Sequence, residues 1–515
     1  MVKHLSLFLL PLLFWYGADQ RPAPQPTAQK QTQTSIPVLK ILIDSKNPVQ
    51  TIESFGASDA WACQFAGNWP DEKRNRMAEL LFSNASDKNG QPLGIGLNLW
   101  RFSIGAGSAE QGSESTLRDE WHRQLSFLGL DGQYNWDAMP GQTWFLKAAK
   151  KHGVQKFLGF VNSPHVRFTL NKRAYSSRGE CNLDFGKLDL FTADLAATIK
   201  GIKTLSGIEL DYISPVNEPQ WKWADSKQEG CPYTNSEIAR VVKALSSTLK
   251  TEKLGTKIQV ADAGQLDYLY GQGQSKGHQI NQFFDPSSAE YLGNLSNVDR
   301  SISGHSYFTT SPEKRAVDIR SSVAIEVAKF KDLRYWMSEY CVLGDETLQG
   351  PGRDLGMKTA LFIAKLIHHD LSISNATSWQ WWLAISSNNY KDGLVYIDRN
   401  QTDGQVYDSK TLWAFGNYSR FIKPGSQRLP LQITGSSKEQ FYASAYQVGK
   451  KIVTVLVNMQ DTDLTVDLNN NGGKLKQTQL YVTSDQFNLF PVEKYKSPDQ
   501  VQIPAKSVCT IVSEQ

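Results

Sequence analysis

Two glutamates in this 515-residue chain stand where acid–base and nucleophilic chemistry is feasible. Glu218 follows the apolar run "YISPVN" and precedes Pro219, Trp221 and Trp223; Glu339 closes "RYWMSE". Two carboxylates facing one another can cleave a glycosidic bond. One protonates the leaving oxygen, and the other attacks the anomeric carbon or activates water to do so. A separation of about 5 Å makes the second a nucleophile, with retention of configuration. The acid needs a raised pKa, which apolar neighbours and a facing negative charge supply. Pro219, Trp221 and Glu339 offer both to Glu218. The nucleophile has to stay ionised, and Arg101 and Tyr307 are candidates to hydrogen-bond it. Strings as short as "NEP" and "SEY" recur by chance, so the weight rests on where the fold puts them.

The elements that must position them repeat. Eight apolar runs read as strands: 53–58, 96–102, 156–162, 211–217, 257–263, 301–307, 334–340 and 375–382. Amphipathic helices fit between them. The segment 70–82 starts with a proline followed by Asp71 and Glu72, which suit a helix N-terminus. The segment 142–152 stops at Gly153, a good residue to follow a helix. Further stripes run over 189–205 and 353–371, and Thr234 with Glu237 forms a capping box. Eight strand–helix units predict an α/β fold, a (β/α)8 TIM barrel over 51–425. The doubly wound alternative is disfavoured, because "GASDAW" follows the first strand in place of a glycine-rich phosphate turn. After 425 the pattern changes to short β-branched runs between turn residues, which predicts a β-sandwich over 426–515. The segment 36–50 carries another strand-like run, "PVLKILID", read as an N-terminal strand of the same sandwich.

In such a barrel, function collects at the C-terminal ends of the strands. Those ends deliver Asp59 and Trp61, then Arg101, then Asn162, then Asn217, Glu218 and Trp221. Later strands deliver His305 and Tyr307, then Glu339, then Trp381 and Trp382. Nearly every strand thus ends in an indole or a group able to bond a polyol. Trp381 and Trp382 point opposite ways on a regular strand, so only one lines a cleft, and Trp381 is the choice. Arg101 equally suits a structural partner of a loop acid, and His305 a satisfied barrel histidine.

Composition narrows the classes. The net charge of +4, without a basic block, gives no footprint for nucleic acid. Five cysteines, Cys63, Cys181, Cys231, Cys341 and Cys509, form no CxxC pair, so no zinc site is expected, nor any other metal or cofactor. Cys181 and Cys231 are the first choice for a single disulfide, against five unpaired thiols. Lys3, the apolar run 5–16 and "YGA" before Asp19 read as a signal peptide over 1–18, and the Pro/Gln/Thr-rich 19–35 as a spacer. No membrane span is expected, so the chain reads as a secreted or periplasmic protein, a monomer acting on a polysaccharide or oligosaccharide.

Five stretches carry a family likeness: "FGASDAWACQFAGNWP" (55–70), "GIGLNLWRFSIGAGSAEQG" (94–112), "WFLKAAKKHGVQKFLGFVNSP" (144–164), "SPVNEPQWKW" (214–223) and "WMSEYCVLG" (336–344). They resemble glycoside hydrolase family 30, and within it the endo-β-1,6-galactanase-like branch. The closing "IPAKSVCTIV" (503–512) resembles that family's last sandwich strand. The resemblance implies a barrel tightly joined to a β-sandwich, and retaining hydrolysis without a metal. It implies Glu218 as acid/base, Glu339 as nucleophile and Asn217 on the substrate 2-hydroxyl, with Asp59 and Trp61 gripping the sugar beside them. The implied activity is cleavage of β-1,6-galactan side chains of arabinogalactan. Alternatives within the family are a β-1,6-glucanase or a xylanase/β-xylosidase, and outside it a non-catalytic carbohydrate-binding protein.

Overall fold

The computed structural model describes residues 38–515, apart from 436 and 437; the signal-peptide and spacer readings fall outside the described residues. Eight parallel strands form the barrel: β1 Ser54–Ser58, β2 Leu99–Ser103, β3 Lys156–Phe160, β4 Tyr212–Ser214, β5 Lys257–Ala263, β6 Val298–His305, β7 Arg334–Glu339 and β8 Ala376–Ser386. Each pairs with the next, and β8 pairs with both β7 and β1, which closes the ring. Barrel strands have two covered faces, so they read as apolar runs without alternation. β1, β2 and β8 are accordingly buried along their whole length.

Local chemistry starts and stops the helices as expected. Pro70 precedes the helix Asp71–Phe82, whose first turn carries Asp71 and Glu72. The long helix Leu188–Ser206 ends at Gly207, in the left-handed region at φ 66°. The capping box at Thr234 forms in both directions and opens the helix Asn235–Thr251, which ends the loop carrying Glu218. β4 is shorter than the apolar run suggested. Pro215 has no N–H to give the ladder, so the chain leaves the sheet before it reaches Asn217 and Glu218. β8 runs on past 382, and two strands absent from the sequence reading, Gly393–Ile397 and Val406–Asp408, extend its edge.

The sandwich has a four-stranded and a seven-stranded sheet. Val38–Ile43 alternates exposed and buried, and lies between Leu431–Gly435 and Leu464–Asn470. The sandwich also takes Gln50–Thr51, which pairs with Gln427–Leu429, so the first residue assigned to the barrel belongs to the sandwich edge. Side chains of the larger sheet, including Tyr446, Val455 and Val508, share one apolar core with the barrel. All five cysteines carry free thiols, so no disulfide joins Cys181 to Cys231. The two side chains are nevertheless neighbours, and the Asn182 amide donates to Cys231 Sγ at 3.3 Å.

Candidate active site

The loops at the C-terminal ends of the strands surround a cavity of about 810 Å3, and Glu218 and Glu339 both open into it. Both are almost fully buried. One oxygen of each, with one ring nitrogen of His305, lie within 4.8 Å of one another. The barrel brings the loop after β4 and the end of β7 to face each other across its mouth, although their residues are far apart in the chain.

The two carboxylates differ in what holds them. Glu339 Oε2 accepts from Arg101 Nη1 at 3.0 Å and Oε1 from the Tyr307 hydroxyl at 3.0 Å. Arg101 is completely buried, its guanidinium over the Phe160 ring at 4.3 Å, so it is a fixed cation beside Glu339. Glu218 Oε1 is 2.8 Å from His305 Nδ1. Burial pushes the Glu218 carboxyl up and Glu339 adds to this, while His305 and the Trp221 indole oppose it. A glutamate held above its ordinary range is suited to give a proton.

His305 is the electrostatic hub. Burial alone would depress its pKa, but Glu339, Asp262 and Glu218 outweigh burial and raise it to about 10. The ring is therefore an imidazolium at neutral pH. Its Nε2 faces Asp262 Oδ1 at 3.8 Å and its Nδ1 faces Glu339 Oε1 at 3.6 Å. Burial opposes ionisation of Asp262, yet His305, Arg101 and Ser214 hold it well below the usual carboxylate range. Ser338 adds a 2.6 Å bond to Asp262 Oδ1. Asp262 also aligns the backbone, since its carbonyl accepts from the Glu218 amide at 2.8 Å. Glu218 and Asp262 both sit at positive φ, 44° and 45°. Such non-glycine strain costs of order 1–3 kcal/mol per residue and persists only where surroundings over-determine it. The Glu218, His305 and Glu339 atoms are close enough for one cation.

Other singled-out residues divide. Trp61, Asn217, Trp221 and Tyr307 line the cavity. Asn217 keeps its Oδ1 without a protein partner. Asp59 and Asn162 are buried beneath the site and do not line the cavity. Asp59 Oδ1 accepts from the Ser103 amide at 2.7 Å and from Gln142 at 3.2 Å, and burial pushes its carboxyl up to about 8. Neither amide atom of Asn162 has a hydrogen-bond partner.

Trp381 requires a correction. It is buried away from the cavity, its Nε1 donating to the Asp392 carbonyl at 2.7 Å, and Trp382 lines the cavity instead. The cause is a bulge. Trp381 pairs with Ala57 and Leu383 with Ser58, which leaves Trp382 extra, its amide turned to the Tyr340 carbonyl at 2.9 Å. Alternation along a regular strand does not survive such a bulge.

Further lining residues come from loops that the strand-end reasoning did not cover. His122 stacks on Trp61 with centroids 3.8 Å apart. Asp392 and Asn388 follow β8. On the opposite wall Phe308, half-exposed, meets Trp221 edge-on at 5.8 Å. Trp223 donates from Nε1 to the Glu218 carbonyl at 3.0 Å, its ring lying on Gly230, where a Cβ would come within 2.3 Å of the indole. Only the aromatic residue types near Glu218 signalled this wall in the sequence.

The family model described as O-glycosyl hydrolase family 30 matches residues 38–396. An endo-β-1,6-galactanase of Hypocrea rufa is 26% identical over 446 residues, covering 83% of each chain. Glucuronoxylanase XynC of Bacillus subtilis is 28% identical over 392 residues, 71% of this chain and 75% of that one. Among solved structures, a conserved exported protein from Bacteroides fragilis superposes with TM-score 0.85 at 31% identity, covering 92% of this chain and 99% of that one. The catalytic domain of xylanase C from Talaromyces cellulolyticus superposes with TM-score 0.68 at 21% identity, over 92% and 100% of the respective chains. With the family match spanning most of the sequence, and a barrel joined to a β-sandwich beneath it, this chain belongs to O-glycosyl hydrolase family 30.

Proposed function

We propose that the chain is a secreted, monomeric, retaining β-glycoside hydrolase, with Glu218 as acid/base and Glu339 as nucleophile. The observation that carries this is the approach of the two carboxylates within 4.8 Å, the short separation of a double-displacement pair. Glu339, held by Arg101 and Tyr307, attacks the anomeric carbon while Glu218 gives its proton to the leaving oxygen. The resulting glycosyl ester on Glu339 is opened by a water whose proton returns to Glu218. Through both steps the His305 imidazolium offsets the negative charge of its carboxylate neighbours.

For the substrate we favour β-1,6-galactan, cleaved internally. The support is the likeness to an enzyme named endo-β-1,6-galactanase, which extends over 83% of both chains. Similarity to a glucuronoxylanase keeps xylan as the second reading. Export is favoured by the charged and apolar N-terminal run and by the likeness to an exported protein. No helix among the described residues is long and apolar enough to cross a membrane.

The test is product analysis on β-1,6-galactan, β-1,6-glucan and glucuronoxylan oligomers, with the anomer of the first product read by NMR. Release of β-galacto-oligomers is expected. An α first product defeats the retaining mechanism, and xylo-oligomers alone shift the substrate to xylan. If wild type and Glu218→Gln bind a glycan equally and neither cleaves any, the protein is a binding module.

A further inference from the structure

Resting on that hydrolase reading, we propose that Asp392 is a glycone-binding residue whose carboxylate accepts hydrogen bonds from hydroxyls of a neutral sugar. Asp392 lines the cavity on the wall shared with Trp61, His122, Trp382 and Asn388. It is only 4% exposed. Its Oδ2 accepts from Asn388 Nδ2 at 2.8 Å and the Ser386 side chain lies beside it, but Oδ1 has no hydrogen-bond partner. No lysine or arginine pairs with it among the described residues. His122 is the facing group able to carry positive charge, and burial holds that ring toward its neutral form.

A buried carboxylate oxygen without a donor costs free energy unless something else supplies the bond. The backbone here does not let it escape. The Trp381 indole holds the Asp392 carbonyl, Tyr396 the Gly393 amide at 3.1 Å, and the Gly350 carbonyl accepts from the Lys391 amide at 2.9 Å. On the same wall the Trp61 Nε1–H is also buried without a hydrogen-bond partner, and so is His122 Nε2, which accepts when the ring is neutral because Nδ1 donates to the Lys227 carbonyl at 2.9 Å. A free donor and two free acceptors on one rigid wall suit a ligand whose groups both donate and accept. Sugar hydroxyls do this, and the free Oδ1 is the atom placed to take a bond from them. Burial already pushes the Asp392 carboxyl up, and a uronic acid at this position would bring a second acid onto the same dry wall with no lysine or arginine to balance it, so the wall selects against an acidic glycone.

The experiment titrates β-1,6-galactobiose, gentiobiose, xylobiose and an aldobiouronic acid into Glu339→Ala and into Glu339→Ala carrying Asp392→Asn. Monodeoxy forms of the disaccharide that binds best are then compared by calorimetry. Thermal melting confirms that both variants are folded. One deoxy position should weaken binding to Glu339→Ala about 10- to 100-fold and change binding to the double variant little, as expected for loss of a bond to a charged group. Asp392→Asn should also narrow the discrimination against the acidic sugar. If the double variant does not fold, the deoxy series on Glu339→Ala decides alone, and a flat series overturns the proposal. Equal losses for the parent and every deoxy sugar overturn it too, as does binding of no neutral disaccharide. If a gluco- or xylo-disaccharide binds in place of galactobiose with the coupling intact, the galactan reading fails and Asp392 keeps its role.

Discussion

The loop that carries Glu218 also carries Glu229, and the two buried acids are treated differently. Around Glu218 the charge is answered by charge: His305 contacts it, and Arg101 sits behind Glu339 and Asp262. Around Glu229 only neutral donors converge, the Ala106 amide at 3.0 Å, the Ser108 hydroxyl and Gln124. Another acid, Glu110, adds to the effect of burial. Burial therefore pushes Glu229 up to about 8, with no cation to bring it back. The difference separates two uses of one side chain. Glu229 is a mostly protonated tie between the Glu218 loop and the segment after β2. The cluster at the cavity keeps its charges balanced, so that a proton can move without the protein losing its shape.

The largest expected effect tests the charged cluster. Glu339→Ala should lower kcat by roughly 10^5-fold on every substrate, since no covalent ester can form. Azide added to that variant should yield the α-glycosyl azide. Next is Glu218→Ala, with a loss of about 10^3-fold on glycosides with poor leaving groups and far less on activated aryl glycosides. There azide should restore turnover and give the β-azide, because the ester on Glu339 still forms. An α-azide from Glu218→Ala would exchange the two roles.

His305→Gln should cost about 10^2-fold, the scale of one lost electrostatic contact in a buried site. Its pH profile carries the sharper test. The imidazolium favours ionised Glu218, so without it burial and Glu339 are opposed less and the Glu218 pKa rises further. The alkaline limb of kcat/KM, where Glu218 gives up the proton it must donate, moves to higher pH. A limb that stays in place removes His305 from the cluster.

The smallest effect belongs to Glu229, and it is one of stability. The folded protein holds a proton to about pH 8 that the unfolded chain releases near its ordinary value of 4.5. The folded state binds more protons in that window, so stability falls as pH rises through it, by order of a few kcal/mol in all. Glu229→Gln keeps the shape without the titration. Its melting temperature relative to wild type should climb from pH 5 to pH 8.5, and a constant difference would mean that Glu229 is not held protonated.

The barrel and the strand-end positions of Glu218 and Glu339 were legible because they follow from local rules. Apolar runs, a capping box and strand ends in series are properties of neighbouring residues, and a family likeness reinforced them. The Cys181 and Cys231 neighbourhood was also legible, although both are free thiols. The cavity walls were legible only in part. Trp382 was hidden by a bulge, which depends on how β8 meets β1 and β7 and leaves no mark in the residue order. His122 and Asp392 come from long loops whose paths are set by contacts with other loops, such as His122 on Trp61.

What the sequence by itself determined is the set of parts: eight strands closing into a barrel, a β-sandwich, and two glutamates delivered to the same end of it. Residue periodicity and turn chemistry are enough for that. Only the tertiary structure decided the charges. Whether a glutamate is a proton donor, a nucleophile or a protonated tie depends on which cations and donors lie within a few ångströms once water is excluded. Arg101, Asp262 and His305 reach Glu218 and Glu339 from three other strands, and no spacing along the chain encodes that meeting.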